Sequence, residues 1–591
     1  MITGKYINKF YKKYFWFFFF GIVSLIVVDV FQLWIPEIVG KIIDGVTDGT
    51  IFESGKIGKY ALWLIGVAVA MLVGRFAWRY SIFGAAVRVE TDLRYDLYSH
   101  SLELSNQFYK EHKIGALMAL FTNDLEVLKD AFGDGFLFLV DALFLGVLSF
   151  VKMILVNWIL ALFSLIPLTL MFVCALILSK FLGKRFKEKQ EGYDRLSDFT
   201  EENFTGIHVI KAFVKEVVEV NEFNKVNENN YKREVRFVKY STLLNIILDV
   251  FIMLVLAIML GVGAYFVVSG NEFFGTKFSV GRMFEFIGYF DTLIWPFFAL
   301  SMLLRLRAQA KESYKRIEEF LDSKVDITDN DVESVDDING KIEFRHLTFK
   351  YPDGNKNVLD DINFTINQGE TVGIIGKTGS GKTTLVDLLL RVYNLDNNQI
   401  LIDDKDIMHL PYKVVRNNIG YVVQDNFIFS DTIESNIAFA YNDIDNRKVQ
   451  EAARLADLDN NINDFQNKYK TILGERGVTL SGGQKQRLSI ARAIIKDPKI
   501  LILDDSMSAV DTKTEADILE NLRKSRIGKT TIMIAHRIST VSSLDKIIVI
   551  DEGKISGIGT HDELLKNNDI YRELVHLQEL DDEVNGGVTN E

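Results

Sequence analysis

The chain has 591 residues, a formal net charge of −12, 48% hydrophobic and 25% charged residues, and one cysteine, Cys174. The acidic balance provides no general basic face for nucleic acid, and a single cysteine excludes a disulfide within the chain. High apolar and high charged content together imply an apolar part joined to a polar one, not one uniform soluble domain.

Lys5, Lys9, Lys12 and Lys13 precede an apolar stretch without a small-residue cleavage site. That stretch reads as a retained membrane span, not a cleaved signal. A helix of about 20 apolar residues can cross a bilayer. Six stretches qualify: 15–35, 60–83, 136–156, 159–178, 243–268 and 283–304, with a kink expected at Pro296. Between the fourth and fifth lie Lys184, Arg185, Lys187, Lys189, Arg233 and Arg236, among other basic residues. Between the fifth and sixth lie only Lys277 and Arg282. The positive-inside rule then puts the long segment and both termini in the cytosol. Residues 84–131 and 180–241 mix apolar and charged residues at helical spacing, so the spans are expected to continue as helices beyond the bilayer.

Ionisable residues fall within the spans, each at a cost of about 2.5–3.5 kcal/mol near a helix centre. Asp29, Asp141, Asp249 and Asp291 fit either a polar substrate path or interhelical pairing, and Lys152 also falls within a span. Arg75 and Arg79 are expected near the cytosolic end of the second span. Acidic span residues would suit cationic amphiphiles.

The expected organisation is a transmembrane domain over 1–321, a linker over 322–339, a second domain over 340–580 and an acidic, polar tail over 581–591. In the second domain, residues 341–351 alternate like a strand. The apolar run 371–375 leads directly into Gly376, Lys377, Thr378, Gly379, Ser380, Gly381, Lys382 and Thr383, followed by Thr384. This is the P-loop pattern. Its glycines turn backbone N–H groups around phosphate oxygens, Lys382 reaches the β- and γ-phosphates, and Thr383 can hold Mg²⁺. The next helix aims its positive end at the anion. A second buried strand, 500–503, ends in Asp504, where a P-loop enzyme places its Mg²⁺-organising acid. The stretch Leu480, Ser481, Gly482, Gly483, Gln484 opens a further helix and forms a second phosphate-suited N-terminus. One nucleotide cannot easily use both ends of one domain.

Six spans followed by a P-loop domain carrying LSGGQ resemble a half-transporter of the ATP-binding cassette (ABC) exporter family, over nearly the whole chain. The implied fold is an all-α six-helix membrane domain fused to an α/β P-loop nucleotide-binding domain, with ATP and Mg²⁺ as cofactors. The resemblance implies that two cassettes pair head to tail, each ATP lying between one P-loop and the other signature, Ser481, Gly482, Gly483 and Gln484. Tyr351 matches the aromatic that stacks on adenine, and Gln424 matches the glutamine linking Mg²⁺ and γ-phosphate to the membrane domain. Residues 508–511 match the D-loop, His536 the switch histidine and 474–477 the exporter-specific loop. Residues 108–124 and 206–213 resemble the two coupling-helix regions.

One position departs from the family pattern. After Asp504 the family usually has Glu to polarise the attacking water; this chain has Asp505. A carboxylate one methylene shorter misplaces a general base that must lie within about 2.6–3.2 Å of its target. The expectation is a hydrolytically weak own site, an intact signature, and a heterodimer with a second, homologous half-transporter. The pair would export amphipathic drugs or lipids across a bacterial plasma membrane by alternating access. The alternatives are a homodimeric lipid flippase and an ATP-gated regulator or pore.

Overall fold

The computed structural model describes residues 3–52, 56–329, 332–474, 477, 479–535 and 537–586. Two units make up the chain: Met1–His100 with Ile114–Asp322, and Ser101–Lys113 with Ser323–Glu591. Residues 101–113, which fall within the 1–321 expected for the membrane part, group with the second unit.

The first unit is built of long helices: α1 (Phe15–Thr47), α2 (Lys56–Glu103), α3 (Ile114–Val156), α4 (Trp158–Thr205), α5 (Glu216–Val268) and α6 (Val280–Leu321). Among the described residues, α1, α2, α3, α5 and α6 are long and apolar enough to cross a membrane. The fourth expected span lies at the start of α4, whose described apolar part, Trp158–Met171, is shorter. These helices continue well past their apolar runs: α2 is helical for 48 residues and α5 for 53. Regular helix satisfies every backbone donor and acceptor internally, which hydrocarbon demands.

Two features shape the interior of this unit. The first is a close approach of α1 and α6. A Cβ on Gly281 would lie 2.1 Å from the Gly40 carbonyl oxygen. Asp44 of α1 fixes the start of α6, accepting from the Gly281 N–H at 2.7 Å and from the Ser279 hydroxyl at 2.6 Å. The second is α3, which widens into π-helical turns at Leu120–Asp124 and Asp141–Leu145. Each turn carries a buried aspartate. Asp124 holds the Arg316 guanidinium through both its oxygens. Pro296 lies inside α6 and packs against α3 at Gly146, where a Cβ would come 3.0 Å from the proline ring.

The second unit is α/β. An antiparallel sheet contains β1 (Ile342–Phe349), β2 (Leu359–Ile366), β4 (Ile400–Ile402) and β5 (Lys405–Asp406), in the order β2-β1-β4-β5. The larger sheet adds β3 (Thr371–Ile375), β6 (Ile419–Val422), β7 (Ile500–Asp504), β8 (Thr530–Ile534), β9 (Lys546–Asp551) and β10 (Lys554–Gly559), in the order β10-β9-β3-β8-β7-β6. Its pairings are parallel except β9 with β10. Every residue of β7 and β8 is buried, as a parallel sheet covered on both faces requires. The register sets Ile374, Ile534 and Asp504 side by side. The carboxyl ends of β3 and β7 therefore open at one edge, where open α/β sheets place ligands.

Gly281→Ala forces a methyl group into the Gly40 carbonyl and should cost about 1–3 kcal/mol. Thermal unfolding of the detergent-solubilised chain measures this, and an unchanged midpoint would show that α1 and α6 do not pack at this distance.

Candidate functional site

The loop after β3 is held open by glycine. A Cβ on Gly376 would stand 2.0 Å from the Ile550 carbonyl oxygen, so no other residue fits. Gly379 and Gly381 have φ of 82° and 102°, the left-handed region that favours glycine. Lys382 then starts the helix α7 (Lys382–Leu389). Its buried ammonium donates to the carbonyls of Gly376 at 2.9 Å and Lys377 at 3.0 Å. Burial holds that ammonium below its usual pKa, and the charges of Asp504 and Asp505 work against the burial. Ser380 Oγ is buried with no hydrogen-bond partner.

A cavity of about 300 Å³ lies over this loop, lined by Tyr351, loop residues between Thr378 and Thr384, Gln424 and Asp504. The Tyr351 hydroxyl and Thr384 Oγ1 are 2.8 Å apart. Asp504 ends β7 and is buried; burial pushes its carboxyl up, opposed by hydrogen bonds from Thr383 and Tyr421. Four stretches separated in sequence thus meet in one space.

Asp505 is not among that lining. Its φ is 44°, a strained value for a non-glycine residue, and its N–H donates to the Ile534 carbonyl at 2.9 Å. It lines a separate hollow of about 20 Å³ with Ser508, Glu515 and Arg537. His536, Glu475 and Arg476 lie outside the described residues, so their expected roles stay with the sequence reading.

Ser481, Gly482, Gly483 and Gln484 do not line the cavity either. They open α8 (Gly482–Ile494) with a capping box: Gln484 N–H donates to Ser481 Oγ at 3.3 Å, and Ser481 N–H donates to Gln484 Oε1 at 3.0 Å. Gly483 is close to its neighbour, since a Cβ there would meet the Ala509 carbonyl oxygen at 2.8 Å. Gln486 ties this helix to the segment after Asp505, donating to Ser508 Oγ at 3.0 Å and accepting from Ala509 N–H at 2.9 Å.

Sequence reading missed Lys110. It donates to the Tyr393 hydroxyl at 2.7 Å and stands 5.1 Å above the Tyr351 ring. Its partner Tyr393 is 283 positions away, and no local pattern signals such a pair. In the membrane unit the four candidate aspartates divide. Asp29 and Asp141 are buried, whereas Asp249 and Asp291 are exposed. Lys152 pairs with Glu37 at 3.2 Å, and Glu285 accepts from the Tyr289 hydroxyl at 2.9 Å. Glu37, Asp44 and Glu285 were missed because each sits at or beyond the end of an apolar run, where a carboxylate looks merely interfacial.

Comparison with known proteins bears on this arrangement. Residues 18–297 match the family model described as the ABC transporter transmembrane region, and residues 359–508 match the one described as ABC transporter. The chain is 36% identical over 584 residues to YheI of Bacillus subtilis (strain 168), named a probable multidrug resistance ABC transporter ATP-binding/permease protein, covering 99% of both. The chain belongs to the ABC exporter family, as a half-transporter. It is also 34% identical over 562 residues to MdlA of Escherichia coli (strain K12), a multidrug resistance-like ATP-binding protein, with 95% of this chain and 94% of MdlA covered. A solved bacterial Atm1-family ABC exporter with ATP bound superposes with a TM-score of 0.75 at 25% identity, covering 94% of this chain and 97% of that one.

As an ABC exporter half-transporter the chain is an integral, multi-pass membrane protein with an ATPase cassette. The cavity residues fit the ligand of such a cassette. Ser380 Oγ lacks a partner that a phosphate oxygen would supply, the glycines leave no side chain in the way, and the Lys382 ammonium is at hand. Thr383, Asp504 and Gln424 offer hard oxygen donors of the kind Mg²⁺ takes alongside phosphates and water.

Asp387 lies on α7, and burial pushes its carboxyl up to about 6 against the pull of Lys110. Its folded pKa exceeds the unfolded value, so ionisation opposes folding. The penalty is absent well below about pH 4, grows as pH rises, and is complete above about pH 6. Asp387→Asn should therefore stabilise the cassette by on the order of 2 kcal/mol at pH 7, with the gain falling to about half by pH 5. Unfolding midpoints of both proteins across this range test it; a gain that grew on acidification would reverse the sign.

Proposed function

We propose that the chain is one half of an ATP-driven exporter of amphipathic compounds, drugs or lipids, that works with a second, homologous half-transporter in a bacterial plasma membrane. The cassette and both termini lie in the cytosol in this reading. The observation that carries it is the single cavity joining Tyr351, the P-loop, Gln424 and Asp504, from which the signature residues are absent. A site lacking its own signature is completed by a partner's.

In this reading Tyr351 stacks on adenine, and the backbone N–H groups between Gly376 and Thr384, with Lys382, cradle the phosphates. Thr383, Gln424 and Asp504 hold Mg²⁺, which when bound supplies positive charge against the phosphate oxygens. Ser481, Gly482, Gly483 and Gln484 complete the site on the partner. His536 keeps the role of γ-phosphate sensor that its position in the family pattern gives it. Asp505 is the residue that limits turnover. It is one methylene shorter than Glu, and its lining of a separate hollow supports a carboxylate poorly placed to polarise water over the P-loop. Closing around ATP then favours one membrane conformation because ATP binds that state more tightly.

An apolar hollow of about 310 Å³ in the membrane unit supports amphipathic cargo. Met171, Leu248, Ile252, Phe290 and Phe297 line it, with Asn245 and Ser301 as polar points. Few polar groups in an apolar wall fix orientation while leaving affinity to buried area.

The decisive measurement is Mg-ATP hydrolysis by the purified chain alone in lipid nanodiscs, with ATP binding as the folding control. The chain alone should bind ATP and turn over little, Asp505→Glu should raise turnover about tenfold to a hundredfold, and a coexpressed homologous half with its own Glu should restore it. A homodimer of this chain hydrolysing at about 10 s⁻¹, a common enzyme rate, would overturn the weak-site reading and leave a homodimeric flippase.

A further inference from the structure

Asp29 of α1 and Asp141 of α3 are 3% and 5% exposed. Oδ2 of Asp29 and Oδ1 of Asp141 are buried with no hydrogen-bond partner. The turn that carries Asp141 packs against α1, the helix that carries Asp29, and the Asp141 charge acts on Asp29. Asp141 opens the π-helical turn Asp141–Leu145, which packs against α1 and α6. Such turns recur at functional positions. Asp141 has one donor, the Trp295 indole N–H at 2.6 Å. Among the described residues no hydrogen bond reaches the Asp29 carboxylate.

Among the described residues no lysine or arginine pairs with either carboxylate. On α1, Glu37 is bound to Lys41 at 2.7 Å and to Lys152 of α3 at 3.2 Å. On α6, Glu285 is occupied by Tyr289, while Asp291, Arg305 and Arg307 are exposed. Asp134 of α3 is not among the groups whose charge acts on Asp29 or Asp141. Two unpaired charges at this depth would each cost several kcal/mol and would repel one another. Like carboxylates in one site resolve this by holding one proton between them.

We propose that Asp29 and Asp141 form a binding site for one proton inside the membrane unit, with the proton on Asp29. Asp141 is the partner that stays ionised, because the Trp295 N–H stabilises its charge and nothing comparable serves Asp29. The proton enters from water as a carboxylate becomes a carboxylic acid and leaves to water when the site is hydrated. A rearrangement of the helices that admits water would release it, so conformation and proton occupancy are linked. That last step rests on the transport reading; the site itself does not.

Infrared spectra of the full-length chain in lipid nanodiscs at neutral pH, in H₂O and in D₂O, test the site without requiring turnover. The expected result is the carbonyl stretch of a buried protonated carboxylic acid that shifts in D₂O, disappears in Asp29→Asn and persists in Asp141→Asn. Asparagine matches the neutral acid in shape, so Asp29→Asn should also keep the wild-type unfolding midpoint and ATP binding. A wild-type spectrum unchanged by Asp29→Asn would overturn the proposal. So would a marked fall in that variant's midpoint, which would mean an ionised Asp29 was needed. A band that appears only when choline replaces Na⁺ would give the site to sodium and overturn it as well.

Discussion

A backbone amide in hydrocarbon has no water to bond, and most of the first unit follows from that. It explains why each span is helical. It also explains where irregularity is tolerated. The two π-helical turns of α3 lie against other helices, each with an aspartate buried inside the unit and not toward lipid. Asp124 is satisfied by Arg316, and Asp141 only partly, by Trp295. The same local widening of a helix is a closed ion pair at one place and an unfinished polar site at the other.

The second unit solves a different problem, the presentation of two helix N-termini suited to phosphate. At α7 glycine clears the space and a lysine follows, so the loop is bare and its side-chain charge lies on top of it. At α8 the capping box consumes the side chains of Ser481 and Gln484 within the protein. One end is organised around its own cavity, and the other is finished and presented outward, with Ser481 and Gly482 exposed. Gln486, Ser508 and Ala509 link the presented end to the backbone after Asp505, joining the signature to the residue on which turnover is argued to depend.

What the sequence makes legible is what phosphate chemistry forces to be contiguous. Loop 376–384 must be written in consecutive residues because backbone N–H groups do the binding, and a strand ending in Asp504 carries its context with it. The spans are legible because bilayer thickness sets their length. Side-chain pairing across helices is not. Asp29, Asp141, Asp249 and Asp291 look alike in a hydropathy profile, yet only helix packing decides that the first two are buried. Lys110 is an ordinary surface lysine in sequence, and its place over Tyr351 depends on a segment of the membrane half grouping with the cassette unit. The bulges in α3 leave no mark because widening by one residue costs the helix no particular composition.

The uninterrupted run of α2 has a mechanical consequence. A helix of 48 residues is roughly 72 Å long at about 1.5 Å per residue. Pivoting such a rod by about 5° displaces its far end by roughly 6 Å, about one helical turn. Leverage of this kind lets side-chain-sized adjustments at one end become gaps wide enough to admit a molecule at the other. It also makes stiffness a requirement: a proline in the middle of this helix would absorb the stroke as bending, and α2 has none.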